Sequence, residues 1–115
     1  MPLQYTKHQL QLASWLKDEK ISFSLEKEFP PYFVDIYLGE FHLGIEINSR
    51  FHISKNRDKL REKYLLDTYN LFLIHIDIKE IDNKNKNILI QKIKDFIIND
   101  KNTEEDLRSK FIKEL

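Results

Sequence analysis

The chain has 115 residues, 41% hydrophobic and 33% charged, and its 19 Lys plus Arg are balanced by 19 Asp plus Glu. This composition supports one globular domain rather than a disordered chain, and the zero net charge removes global basicity as a nucleic-acid signal while leaving room for a local basic patch. With no cysteine there is no disulfide framework, thiolate metal site or cysteine nucleophile; with no signal-peptide pattern and no apolar run of membrane-spanning length, a soluble cytoplasmic protein is expected.

From the N-terminus, Tyr5 to Lys20 is expected to be a helix: Thr6 is a good N-cap residue, and Leu10, Leu12, Trp15 and Leu16 recur at helical spacing. Ile21 to Phe29 alternates instead. Ile21, Phe23, Leu25 and Lys27 fall on one side and Ser22, Ser24, Glu26 and Glu28 on the other, which is strand periodicity, ended by Pro30-Pro31. Phe33 to Leu38 and Leu43 to Asn48 form a predicted hairpin around Gly39, Glu40, Phe41 and His42. Val34, Ile36 and Leu38 alternate with Phe33, Asp35 and Tyr37; Leu43, Ile45 and Ile47 alternate with Gly44, Glu46 and Asn48.

A polar, basic stretch follows, then a helix over Asp58 to Thr68 with Leu60, Tyr64 and Leu65 facing inward. Leu71 to Ile78 is an apolar run of high strand propensity. Asn83 to Asn87 is a linker, and Ile88 to Ile98 a helix with Ile90, Ile93 and Ile97 on its apolar face. Thr103 with Asp106 has the form of a capping box opening a last helix with Leu107, Phe111 and Leu115. The order is α-β-β-β-α-β-α-α. It describes a single α/β (α+β) domain over residues 1–115, a mixed sheet of about four strands flanked by helices, with residues 100–115 as a C-terminal helix or arm.

The hairpin carries the most informative geometry. If its turn centres on Glu40 and Phe41, Leu38 faces Leu43, Ile36 faces Ile45, and Asp35 faces Glu46. Directly opposed residues hold their Cβ atoms roughly 4.5–5.5 Å apart, so two carboxylates are expected side by side on one sheet face. An isolated pair of strand carboxylates is commonly just solvated. Here the face also holds Phe33, Tyr37 and Gly44, and a second polar cluster follows at the same strand end. A divalent cation would offset the repulsion, and hard oxygen donors suit Mg²⁺.

His52 lies just past the second hairpin strand, and Asp58 and Arg61 stand one helical turn apart. A histidine there can serve as general base near neutral pH. Arg50, Lys55, Arg57, Lys59, Arg61 and Lys63 are opposed in this segment only by Asp58 and Glu62, a concentration suited to a phosphodiester backbone. His8, His42 and His75 lack zinc-ligand spacing, and His75, inside an apolar strand, reads as a structural residue facing a polar layer. The only glycines are Gly39 and Gly44, which excludes a glycine-rich phosphate loop.

The stretch from Val34-Asp35-Ile36 through Gly44-Ile45-Glu46-Ile47-Asn48 to His52, Arg57-Asp58 and Arg61 resembles the PD-(D/E)xK nuclease superfamily with its restriction-endonuclease-like core. Within it, the likeness is greatest to the very-short-patch-repair branch, which includes homing endonucleases whose sites add a histidine and a second aspartate. The resemblance spans roughly Thr6 to Ile98 in element order, with its specific part between Val34 and Arg61. It implies a Mg²⁺-dependent endonuclease that hydrolyses DNA phosphodiester bonds, with Mn²⁺ as a substitute ion. DNA would be read through a homodimer or a separate DNA-reading module.

Residue by residue, the resemblance makes Asp35 the principal metal ligand, with Glu46 binding directly or through water and the Ile47 backbone carbonyl joining them. Asn48 stands where many members carry the catalytic lysine. His52 is the candidate general base, Asp58 orients it, and Arg61 contacts phosphate or braces the acidic pair. Arg50, Lys55, Arg57 and Lys59 would line the nucleic acid. The family's first-helix glutamate falls nearest Gln9, an amide that is neither anionic ligand nor base, so Glu26 or Glu28 would take its place. Two alternatives belong to other classes. One is a catalytically reduced protein binding RNA or DNA, since RAP domains share the Val-Asp-Ile strand, the Ile-Glu-Ile strand and the following histidine. The other is a phage or mobile-element accessory protein docking through its last helix.

Overall fold

The computed structural model describes residues 5–48 and 55–98, residues 55–58 by their backbone alone. The first helix, α1 (Lys7–Asp18), begins with a reciprocal cap: the Thr6 hydroxyl accepts from Gln9 N at 3.1 Å, and Gln9 Oε1 accepts from Thr6 N at 3.2 Å. It closes in a Schellman turn, with Lys20 at φ 59°, Lys20 N donating to Lys17 O and Ile21 N donating to Leu16 O. The buried stripe is Gln9, Leu12, Ala13 and Leu16, with Trp15 beside it. That phase turns Leu10, expected inside, to the flank, where it is 49% exposed.

Four strands follow the expected plan: β1 (Ser24–Phe29), β2 (Tyr32–Leu38), β3 (Leu43–Asn48) and β4 (Phe72–Asp77), in the spatial order β1-β2-β3-β4. β1 and β3 are each antiparallel to β2 between them, and β4 runs parallel to β3. Parallel neighbours need a crossover, and α2 (Lys55–Tyr69) lies in the connection. Two short 3₁₀ turns follow β4: Ile78–Glu80 begins at the last residue of the expected strand, and Asn83–Asn85 occupies part of the expected linker before α3 (residues 86–98). No helix among the described residues is long and apolar enough to cross a membrane.

Two apolar clusters divide the molecule into three layers. The larger joins Leu12, Trp15 and Leu16 of α1 and Leu89, Ile90 and Ile93 of α3 to Ile36, Leu38, Leu43, Ile45, Ile74 and Ile76 of the sheet. The smaller lies under α2 and joins Leu65 to Phe29, Val34 and Leu71. Val34 thus sits on the face opposite Ile36 and Leu38, contrary to the simple alternation expected of β2. The reset falls at Asp35, opposite Glu26, whose φ of 49° interrupts β1. Gly44 permits this arrangement. A Cβ there would lie 2.9 Å from Val34 Cγ1 and 2.6 Å from Leu73 Cδ2.

The inward face of α2 also differs from expectation. Leu65 is fully buried, but Leu60 is 69% and Tyr64 39% exposed. The residues turned to the sheet are Arg61, Leu65 and Tyr69, spaced four apart. Among the described side chains of α2, an arginine takes the inward position nearest the N-terminus, over a strand that presents a buried carboxyl group.

Candidate functional site

The hairpin has the expected register, with Leu38 paired to Leu43, Tyr37 to Gly44 and Ile36 to Ile45 across the turn at residues 39–42. One step further along, Asp35 stands across from Glu46. There the backbone ladder gives way to a side-chain bond: Asp35 Oδ2 accepts from Ile47 N at 2.8 Å. The Asp35 carboxylate therefore reaches over β3 beside Glu46.

Glu46 is buried, 6% exposed, on the sheet face covered by α2. Burial, the Asp35 charge and a hydrogen bond with Asp35 push its carboxyl from the ordinary 4.5 up to about 8, against the opposing pull of Arg61. Arg61 reaches down from α2 to donate from Nη2 to Glu46 Oε1 and to Phe33 O, while its guanidinium lies 5.7 Å from the centre of the Tyr32 ring. Of the two roles expected of Arg61, phosphate contact or bracing, the hydrogen bonds are those of a brace.

Gln9 holds the other flank. Its Nε2 donates to Glu26 Oε1 at 3.0 Å and to Asp35 O at 2.8 Å, so the α1 amide bridges the two strands where β1 is interrupted. Glu26 is thereby brought towards Asp35, whereas Glu28 is exposed and pairs through its backbone with Phe33. A Thr-x-x-Gln capping signal was present in the sequence and locates Gln9 at the start of α1. Its inward reach was not legible.

His75 and Glu62 were not expected here. The parallel register sets His75 beside Glu46 and Asp77 beside Asn48. His75 is exposed rather than buried, and its ring joins Asn48 on β3 to Glu62 on α2. Asp77 caps the following turn, with Oδ1 accepting from Lys79 N, and is committed to structure. His42, which carried no clear role in the sequence, bridges Tyr37 Oη and the Tyr69 carbonyl at 2.7 Å each and ties the hairpin turn to the end of α2.

Asp35, Glu46, Asn48 and Arg61 are thus brought together. Lys59 is exposed on α2. Arg50, His52 and the expected last helix lie outside the described residues, as do the side chains of Lys55, Arg57 and Asp58. Among the described residues no three His, Asp or Glu gather into a metal set, so the acidic centre is a pair. Two hard carboxylates whose repulsion and burial make one of them retain a proton fit an ion such as Mg²⁺, which takes one or two carboxylates and keeps several waters.

The chain matches no protein-family model and no curated protein sequence. Among solved structures, its fold is similar to the catalytic domain of the homing endonuclease I-Bth0305I, with 21% sequence identity and a TM-score of 0.64 over 83% of this chain and 97% of that domain. The mixed sheet flanked by helices is therefore a fold that a nuclease catalytic domain also uses.

Proposed function

We propose that the chain is a metal-dependent endonuclease acting on DNA, of the very-short-patch-repair and homing type within the PD-(D/E)xK nucleases. The observation that carries this reading is the placement of Asp35 beside buried Glu46 on adjacent strands, in a fold similar to a homing endonuclease catalytic domain. Asp35, Glu46 and the Ile47 carbonyl would hold Mg²⁺, or Mn²⁺ in its place. Such an ion neutralises charge on the phosphoryl oxygens and lowers the cost of deprotonating the attacking water.

The chain's own groups supply the rest. Arg61 keeps the Glu46 carboxyl oriented under α2, and Gln9 fixes the backbone of Asp35. Asn48 lies on the same strand face as Glu46 but cannot accept a proton at neutral pH. His52 therefore takes the proton of the attacking water, with Asp58 orienting its ring. Arg50, Lys55, Arg57 and Lys59 hold the phosphate backbone by charge. A domain this small reads its target as a homodimer or through a separate module.

Two observations favour a second reading, nucleic-acid binding without cleavage: Arg61 already occupies Glu46 Oε1, and an amide stands at Gln9. Incubation of the wild type and Asp35→Ala with supercoiled plasmid and with labelled RNA, with and without Mg²⁺ or Mn²⁺, separates the two. Ion-dependent nicking or linearisation by the wild type, lost in Asp35→Ala, supports the nuclease. Retained binding with no cleavage under any condition supports the second reading.

A further inference from the structure

We propose that His75 and Glu62 are positioning residues that lock the amide of Asn48 with its oxygen presented beside the carboxylate pair; the catalytic part of this inference rests on the nuclease reading above. Asn48 Nδ2 lies 3.2 Å from His75 Nδ1, and His75 Nε2 lies 3.1 Å from Glu62 Oε2. An amide nitrogen only donates, so Nδ1 must accept and carries no proton. An ionised carboxylate only accepts, so Nε2 must carry one. A single form of the ring satisfies both bonds, the neutral Nε2–H tautomer. The carboxylate on α2 therefore selects the tautomer, the tautomer selects the orientation of the amide, and Asn48 Oδ1 is left as the acceptor the residue can offer.

Glu46 and Asn48 are two residues apart on β3 and share a face, and the parallel register sets His75 beside Glu46. An acceptor at that place takes a hydrogen bond from a water and turns the water's lone pair towards a phosphorus held at the carboxylates. It orients without taking the proton, a duty different from that of a lysine ammonium, which only donates. His75 and Glu62 are 40% and 43% exposed in their side chains, and a hydrogen-bonded pair so exposed adds little to stability. A chain of three hydrogen-bonding groups spanning β3, β4 and α2 thus contributes orientation more than folding energy, and its members can be replaced without unfolding the protein.

The test compares His75→Ala with His75→Asn. The side-chain oxygen of asparagine can stand near the position of Nδ1 and accept from Asn48, but it cannot carry a proton between groups. Single-turnover cleavage at saturating DNA should fall about tenfold in His75→Ala, the worth of one orienting hydrogen bond, with DNA affinity unchanged. In His75→Asn it should stay within about twofold of the wild type. Equal impairment of both variants would overturn the proposal and make His75 a proton carrier; wild-type rates in His75→Ala would also overturn it.

The arrangement has a readout independent of activity, the ring-nitrogen NMR shifts of His75. They should show the Nε2–H tautomer, and Glu62→Ala should disperse it into a mixture. A dominant Nδ1–H tautomer in the wild type overturns the positioning chain whether or not the protein cuts. A wild type that cuts neither nucleic acid with either ion overturns the nuclease reading, and with it the catalytic part, while the tautomer still decides the arrangement.

Discussion

Glu46→Gln tests the electrostatics of the site through stability alone. The side chain is 8% exposed, and its carboxyl is pushed from 4.5 to about 8 by burial first and by Asp35 next. Above about pH 4.5 the unfolded chain releases this proton while the native state keeps it. The protonated carboxyl therefore favours the fold fully below that pH, and the contribution is lost as pH rises through about 8. The two values differ by 3.5 units (8 − 4.5), which at about 1.4 kcal/mol per unit sets a ceiling of about 5 kcal/mol. Relaxation around the carboxylate and entry of water reduce this to ~1–3 kcal/mol. Urea denaturation of the ion-free protein from pH 5 to pH 8 should show the wild type losing ~1–3 kcal/mol relative to Glu46→Gln, which has nothing to ionise at that position. The variant should equal or exceed the wild type at pH 8. A wild-type stability that stays level or rises relative to the variant over this range would mean that Arg61 outweighs burial, and would refute the reasoning.

Other substitutions probe separate parts of the structure. Asp35→Ala should remove cleavage and, by leaving Ile47 N without its acceptor, lower stability by about 1–2 kcal/mol; unchanged cleavage of every substrate would discard the metal assignment. His52→Ala should slow single-turnover cleavage by about 10²–10⁴ while sparing DNA affinity, and the wild-type rate should fall on acidification; equal rates remove His52 from the chemistry. Gly44→Ala should cost ~1–3 kcal/mol in chemical denaturation, because the added methyl meets Val34 and Leu73 inside contact distance. Lys20→Gly should raise stability by about 0.5–1 kcal/mol, because a lysine holds the left-handed position that ends α1; a lower melting temperature would contradict this.

How far the sequence could be read depended on whether each feature was local. The Asp35–Glu46 pairing follows from alternation on both sides of one short turn, and the even-numbered loop kept the register whichever residues closed it. Thr6, the apolar face of α3 and, apart from Leu10, that of α1 were legible for the same reason. The inward side of α2 was not, because hydrophobic periodicity ranks Leu60 and Tyr64 above Arg61, and only the buried carboxylate on β3 reverses that order. The face switch at Val34 depends on a left-handed Glu26 in a different strand. His75 and Glu62 meet Asn48 only once β4 docks in parallel register on β3, a non-local event that leaves no spacing signal.

Helix α2 is fastened to the sheet in two unlike ways. Towards its C-terminus, Leu65 is fully buried, Tyr69 Oη donates to Pro30 O at 2.6 Å, and the Tyr69 carbonyl meets His42. Nearer its N-terminus, the described fastenings are Arg61 on Glu46 and Glu62 on His75, both of them hydrogen bonds to a carboxyl group. The contacts towards the C-terminus involve no carboxyl group, whereas those nearer the N-terminus use groups for which a cation or phosphate entering the site would compete. Helix α2 thus has one end anchored away from the acidic pair and the other hydrogen-bonded to Glu46 itself.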